Sequence, residues 1–276
     1  MTSEFVHLHN HSDYSLLDGA QTVQTLVNTV DDLGMDSVAL TEHGNMFSVI
    51  PYYKSAKSAG IKPIIGCETY VAVGSRFDKK PRSDGGWGNN HLVLLAKDYK
   101  GYQNLMKLVT HGYLEGFYYR PRIDIELLQK YNEGLICLSG CLKGEIPERM
   151  LKDDWNGAKE AALRFSEIFP DRFYLEIQNH GIPDEEQNIK NIKKLSSELD
   201  IPMVCTNDAH YAKHEHWEAH DVHICLGTGK DRNDPNRLRY ATPEFYFKSQ
   251  DQMFELFKDI PGAIENTRKI ADSIEI

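Results

Sequence analysis

The chain has 276 residues, 41% of them hydrophobic and 26% charged, with a formal net charge of −10 at pH 7. That composition supplies enough apolar material for a core and excludes a disordered, core-poor chain. The acidity argues against a general nucleic-acid-binding surface, which needs Lys and Arg to replace counterions, although bound cations can supply positive charge locally.

No run of about 18 apolar residues is present, so no membrane-spanning helix is expected. The opening residues MTSEFVHLHNH lack the basic and apolar regions of a secretory signal, so a cytoplasmic location is expected. Five cysteines, Cys67, Cys137, Cys141, Cys205 and Cys225, form no CxxC pair, and five cannot all pair within one chain. Four lie in apolar surroundings, where a reduced thiol behaves as a small hydrophobe. Cys141 stands apart.

Residues 5–9 read as a first strand, continuing into His7-Leu8-His9-Asn10-His11. Alternate side chains of a strand share a face, so the three imidazoles line one wall. A single strand histidine is usually a hydrogen-bonded core group; three at alternate positions favour metal binding, with His7 set deeper as support for the ligands behind it. Asp18 follows in Leu16-Leu17-Asp18-Gly19, where alone it would read as a turn residue. A helix over 23–33 is expected to stop at Gly34, and a strand over 37–40 runs into Thr41-Glu42-His43-Gly44. A helix over 49–59 takes Ser48 as its N-cap and Gly60 as its stop. The strand 63–67 ends on Glu68, and a carboxylate after so apolar a run needs a cation or an Arg, because an unpaired buried charge is costly.

The loop 74–90 carries Arg76, Lys79, Lys80 and Arg82, then Gly85-Gly86-Trp87-Gly88, and reads as a functional flap or a solvated one. His91 begins the strand 92–96 instead of ending it, so either the preceding loop folds over the mouth or the strand starts earlier. After a helix over 102–109 comes Tyr118-Tyr119-Arg120-Pro121-Arg122. The basic residues Arg76, Lys79, Lys80, Arg82, Arg120 and Arg122 suit phosphate contacts, and the tyrosines suit base stacking; an interface with a further domain is the plain alternative. The strand 135–139 leads to Cys141, whose thiolate is a good zinc ligand. Beyond a helix over 158–168, the strand 173–177 carries Glu176, with Gln178 and His180 nearby. A helix over 184–199, capped by Asp184, precedes the strand 203–206, which ends in Asn207-Asp208-Ala209-His210. His216, His220 and His223, with His214 close by, fall at helical spacing and read as a polar helix face before a second metal site. Residues 228–241 read as a polar loop, and 250–257 and 261–274 as terminal helices.

Seven strands alternating with helices predict parallel βα units, in a barrel or an open doubly wound sheet. Ligand-type residues end strands one, two, three, five and seven, the end where such folds place their chemistry.

The stretch His9-Asn10-His11-Ser12 with Ser15 and Asp18, followed by Thr41-Glu42-His43-Gly44, resembles the polymerase and histidinol phosphatase (PHP) family. The likeness is greatest to the PHP domain at the N-terminus of bacterial DNA polymerase III alpha subunits. HSDYSLLDGA, ALTEHGNMF, IKPIIGCETYVA, HLVLLAKDYKGYQNL, YLEGFYYRPRID, LSGCLKGEIP, FYLEIQNHG and TNDAHY extend it over nearly the whole chain. The resemblance implies a distorted (βα)7 TIM-like barrel holding two or three divalent ions. Their ligands would be His9, His11, Asp18, His43, Glu68, His91, Cys141, Asp208 and His210. Zn, Mn or Fe suits so mixed a set. Residues 1–227 would form the phosphoesterase barrel, and 228–276 a loop and helices leading toward a polymerase palm outside this sequence, which would then be a fragment. The expected reaction is attack of metal-bound hydroxide on a phosphoester, with His43 and His210 as proton-transfer groups, in a 3′–5′ exonuclease acting on a DNA primer end. Thumb and palm domains and a separate exonuclease subunit are the expected partners. A metal-stabilised scaffold without turnover and a stand-alone small-molecule phosphatase are the competing readings.

Overall fold

The structure, a computed structural model, describes residues 4–81 and 88–276. Its strands are β1 (Ser37–Leu40), β2 (Lys62–Ala72), β3 (Asn89–Ala96), β4 (Arg122–Ile123), β5 (Leu135–Leu138), β6 (Phe173–Ile177) and β7 (Met203–Cys205). They form one sheet in the order β1-β2-β3-β5-β6-β7, with the short β4 beside β2. The N-terminal segment joins the two ends of that order. His7 bridges Val38 of β1, and Asn10 bridges Ala209 just past β7, both in parallel. Ala39 donates to the His7 carbonyl at 2.8 Å, Thr41 to Asn10 at 2.9 Å and His11 to Ala209 at 2.9 Å. The expected strand over 5–9 is therefore a stave of a closed barrel, paired too intermittently to make a regular ladder. Asn10 explains part of the interruption, since its side-chain amide bonds the carbonyls of His7 and Ala39 at 3.2 and 3.0 Å.

One expectation needs correction. β3 runs antiparallel to both β2 and β5, whereas β1–β2, β5–β6 and β6–β7 pair in parallel. The distortion lies here: among the described residues no crossover helix separates β2 from β3, and β3 runs back along β2. Reversal also resolves the odd position of His91. The start of an antiparallel stave lies at the same end of the barrel as the finish of the parallel ones.

The barrel interior is apolar. Val6, Leu8, Ala39, Ile64, Val93, Leu95, Ile136, Leu138 and Val204 meet there, and Ile270, Ala271 and Ile274 plug the end remote from the ligands. Leu92 and Leu94 point the other way, into the layer between sheet and helices, as the period of two requires. That layer is filled by helical residues at three- and four-residue spacing, among them Leu26 and Val30, Leu105 and Leu108, Ala158, Ala161 and Phe165, and Ile192 and Leu195. Residues 250–256 and 261–272 are helical, and beyond them Glu275 pairs back onto Lys97 at 2.7 Å.

Two helix caps differ from expectation. Ser48 makes no cap bond because its hydroxyl turns to Glu42 at 2.9 Å. Asp184 lies inside the first turn, with Pro183 starting the helix and Ile182 at the cap. No helix among the described residues is long and apolar enough to cross a membrane.

Candidate metal centre

The barrel brings nine donor side chains to one mouth. His9 and His11 come from the N-terminal stave and Asp18 from the turn after it. His43 follows β1, Glu68 lies within β2, His91 opens β3, Cys141 follows β5, and Asp208 and His210 follow β7. Glu68 sits at the centre. Its Oε1 lies 2.6 Å from His91 Nδ1, 3.5 Å from His9 Nε2 and 3.9 Å from Cys141 Sγ. Its Oε2 lies 3.7 Å from His11 Nε2 and touches His43 Nδ1. Asp208 Oδ1 stands 3.1 Å from His11 Nε2 and 3.4 Å from His9 Nε2. Asp18 Oδ1 is 3.2 Å from His43 Nε2, and the rings of His11 and His210 stack at 4.4 Å.

Closeness is not bonding here. His9 Nε2, His11 Nε2, Asp18 Oδ1, His43 Nδ1, Glu68 Oε2 and Asp208 Oδ1 are all buried, and none has a hydrogen-bond partner of proper angle. A buried polar atom left unpaired costs roughly 1–3 kcal/mol, so six facing one another form a costly arrangement unless cations take their lone pairs. Side chains of the mouth group as His9, His11 and Asp208; His11, His43 and His210; and Glu68, His91 and Cys141, with the ligand atoms of each group within 4.8 Å of one another. Three carboxylates, five imidazoles and a thiol fit divalent ions of borderline softness.

Surrounding groups aim these donors. The His9 Nδ1–H donates to Glu176 Oε1 at 2.7 Å, so that the neutral ring presents Nε2 as a lone pair to the cluster. Ser15 does the same for His11. Its one hydroxyl proton goes to Glu42 Oε2 at 2.5 Å, so its oxygen accepts from His11 Nδ1 at 2.9 Å and from the His43 amide at 3.1 Å. Glu42, buried beside a ligand histidine, therefore anchors a serine network with Ser12 and Ser48. His210 is oriented by Nδ1–H donating to the Asp208 carbonyl at 2.8 Å. Asp208 holds φ at 44°, a conformation rare outside glycine, which turns its carboxylate into the mouth. At Gly140 a Cβ would lie 2.7 Å from the His91 carbonyl, so only glycine lets β5 close against β3 and bring Cys141 to His91.

Electrostatics follow the geometry. Burial works against the charge of Asp18, Glu68 and Asp208, yet the surrounding imidazoles outweigh it and hold all three carboxyls well below their usual range. Burial likewise opposes protonation of His9 and His43, but Asp208 and Glu176 beside the first, and Asp18 and Glu68 beside the second, raise both well above 6.5. Burial and the neighbouring His43 and His210 rings push His11 down to about 3. Burial, then Glu68 and Asp208, push the Cys141 thiol up. The mouth is a concentration of buried negative charge that protons or metal ions must neutralise.

Several expected site residues lie elsewhere. His7 Nε2–H donates to the Lys248 carbonyl, 2.9 Å away, with its ring between Phe5 and Phe247, and it touches no ligand. Arg76 is buried in ion pairs with Asp124 at 3.0 Å, Glu115 at 2.6 Å and Glu126 at 3.1 Å. Arg122 is buried and donates to the carbonyls of Gly116, Arg76 and Asp78. Both guanidiniums are spent on structure, so neither reaches a phosphate. Lys79 and Lys80 are exposed, and Arg82 lies outside the described residues. Arg120 remains beside the mouth, 5.7 Å over the ring of Tyr70, which itself lies 5.2 Å from His91. His43 and His210 stand at the mouth itself, the first with its ring nitrogens facing Asp18 and Glu68, the second with its own facing the Asp208 carbonyl and the Tyr240 hydroxyl. His180 is held between Glu185 and the Asn207 carbonyl and stacks on Phe245. His220 donates to the Asp18 carbonyl at 2.8 Å, a support within the same site.

Tyr240 is absent from the sequence-derived set. Its hydroxyl lies 2.9 Å from His210 Nε2 and 3.3 Å from Asp18 Oδ2. No spacing could have found it, because it sits in an aperiodic polar segment.

Residues 7–180 match the family described as the PHP domain. The chain is 50% identical over 273 residues to the DNA polymerase III subunit alpha of Borreliella burgdorferi, covering 99% of this chain and 24% of that protein. It is 46% identical over 273 residues to the DNA polymerase III subunit alpha of Treponema pallidum, covering 99% of this chain and 23% of that protein. Among solved structures, a two-domain protein of Bacteroides vulgatus containing a predicted PHP-like metal-dependent phosphoesterase is similar at TM-score 0.42 and 15% identity, over 75% of this chain and 52% of that one. The chain spans about a quarter of the length of the curated relatives it matches.

Proposed function

This chain belongs to the PHP domain family and is similar along its length to DNA polymerase III alpha subunits, and from that premise we propose that its barrel mouth hydrolyses phosphoesters with the help of divalent metal ions. The observation that carries the reading is the set of six buried, unbonded donor atoms turned toward common points. Ions held there would polarise a phosphoryl group and make an attacking water more acidic. His9, His11 and Asp208 would hold one ion, His43 and His210 with Asp18 a second, and Glu68, His91 and Cys141 a third. Zn²⁺, Mn²⁺ and Fe²⁺ suit these donors, and Cys141 tilts the third set toward zinc.

The protein's own part is positional. Glu68 links the sets, Glu176 and Ser15 fix the tautomers of His9 and His11, and the apolar barrel beneath excludes water from below. The His43 side chain, 17% exposed, and the Asp208 side chain, 11% exposed, mark the side from which a phosphoester would enter. Arg120 at the lip is the cation best placed to meet a second phosphate.

A DNA 3′ end is the proposed substrate, making the activity a 3′–5′ exonuclease within a cytoplasmic replicative polymerase, with that polymerase's thumb and palm domains and a separate exonuclease subunit as proposed neighbours. The test is metal analysis of the purified chain together with hydrolysis of a 3′-labelled single strand, pyrophosphate and a chromogenic phosphodiester. Turnover that disappears on chelation and in His9→Ala and Asp208→Asn is expected; turnover surviving those changes overturns the proposal. A second reading, a metal-tied scaffold, is favoured by the origin of the donors on almost every stave. A large Tm loss on chelation without turnover on any substrate would select it.

A further inference from the structure

We propose that Tyr240 is a positioning residue of the metal centre, its hydroxyl holding the Asp18 carboxylate so that the segment 229–247 completes a site otherwise built from the barrel. The inference rests on the metal-centre reading above and concerns a residue beyond the 7–180 span of the family match.

A phenol has one proton to give. Asp18 Oδ2, 3.3 Å away, can only accept it. His210 already donates through Nδ1 to the Asp208 carbonyl, so in its neutral form Nε2, 2.9 Å from the Tyr240 oxygen, is a lone pair as well. Once Nε2 serves as a ligand, the Tyr240 proton has a single taker, Asp18. That bond decides which oxygen of Asp18 is presented: Oδ2 is tied back, and Oδ1 is left unbonded beside His43. Asp18 needs such help because it lies in a turn with no strand ladder to set its direction. Its backbone is pinned from the same side, through His220 and the Asp18 carbonyl.

Tyr240 is itself held firmly. Its ring meets those of His210, His220 and Phe245 at 5.1, 4.8 and 4.5 Å. Three residues before it, Arg237 forms a two-pronged bond to Asp221 at 2.6 and 2.7 Å. Five residues after it, the Phe245 carbonyl accepts from the His210 amide at 2.8 Å. The tyrosine therefore hangs between two anchors with its hydroxyl directed into the mouth.

The test uses the full chain with Zn²⁺ or Co²⁺ as the probe. Tyr240→Phe keeps the ring packing and removes only the hydroxyl; Arg237→Gln opens the clamp from outside the site; Asp18→Asn is the control for the ligand itself. Chelator competition should show one ion bound about 10-fold or more weakly in Tyr240→Phe, as for loss of other ligand-orienting bonds, with the remaining ions unaffected. The visible absorption of the Co²⁺ form should change, and the Tm of the metal-free protein should not. Arg237→Gln should weaken the same ion. If Asp18→Asn loses an ion while Tyr240→Phe binds like wild type with an unchanged Co²⁺ spectrum, the positioning role is refuted and the metal centre stands. If Tyr240→Phe lowers the metal-free Tm and weakens every ion equally, the residue is general packing and the inference also fails. If wild type and Asp18→Asn both bind no ion, the failure belongs to the metal-centre reading.

Discussion

Replacing Glu176 by Gln tests how far the centre depends on a residue that would touch no metal. Glu176 is 1% exposed, and its carboxylate accepts four hydrogen bonds. Oε1 takes His9 Nδ1 at 2.7 Å, Thr206 at 2.5 Å and Gln178 at 3.2 Å, while Oε2 takes the Gly140 amide at 3.0 Å. An amide offers one acceptor oxygen and one donor nitrogen, so it cannot satisfy both sides. With its oxygen toward His9, the new NH2 faces the Gly140 N–H. With its nitrogen toward His9, the imidazole must accept at Nδ1 and carry its proton on Nε2, the atom that faces Glu68 and Asp208. A protonated Nε2 cannot ligate. Loss of one charge-assisted bond should cost the metal-free protein about 1.5–3 kcal/mol, partly offset because one buried charge is gone. Metal affinity should fall roughly 10- to 100-fold, about 1.4–2.8 kcal/mol. Urea denaturation in chelator reads the first quantity and chelator competition the second. A Glu176→Gln protein that binds metal as tightly as wild type would show that the His9 tautomer does not matter, and the account of how the site is aimed would be wrong.

Metal uptake should release protons, because His9, His43 and the Cys141 thiol hold theirs above the ordinary range when no ion is bound; about three per chain at pH 7 is expected if all sets fill, so affinity rises with pH. Calorimetry in buffers of different ionisation enthalpy measures the number, and no buffer dependence would contradict it. Arg76→Ala should cost on the order of 3 kcal/mol of stability by stranding the buried Asp124 carboxylate, while kcat per folded molecule stays unchanged; a KM effect without destabilisation would return Arg76 to the substrate. Burial pushes His7 down from 6.5 to about 4, so the fold favours its neutral form. Its contribution is complete above about pH 6.5 and drains away as pH falls toward 4, by up to about 3 kcal/mol. A His7→Gln protein should show a flatter stability profile across that window, and an equally steep one would count against the assignment.

His43, Glu68, Cys141 and Asp208 could be picked out from the chain because each follows an apolar run, and strand periodicity states which way such side chains point, whereas Asp18 and His91 joined the set only through the family resemblance. His9 and His11 are the clearest case: two residues apart on a stave, they must share a face. The helices were legible for the same reason, since burial at three- and four-residue spacing leaves its mark in local sequence. What local sequence could not carry was direction and distance. Nothing near His91 says that β3 runs backward, yet that reversal alone brings His91 to Glu68, because hydrogen-bond pairing between strands is settled by the closed barrel and not by either strand. Arg76 and Arg122 looked like phosphate contacts because a basic loop reads as exposed; a carboxylate 48 residues and a carbonyl 46 residues away in the chain claim them. Tyr240 reaches Asp18 across 222 positions, and a contact of that span is decided by how the whole chain packs, leaving no trace in the residues on either side.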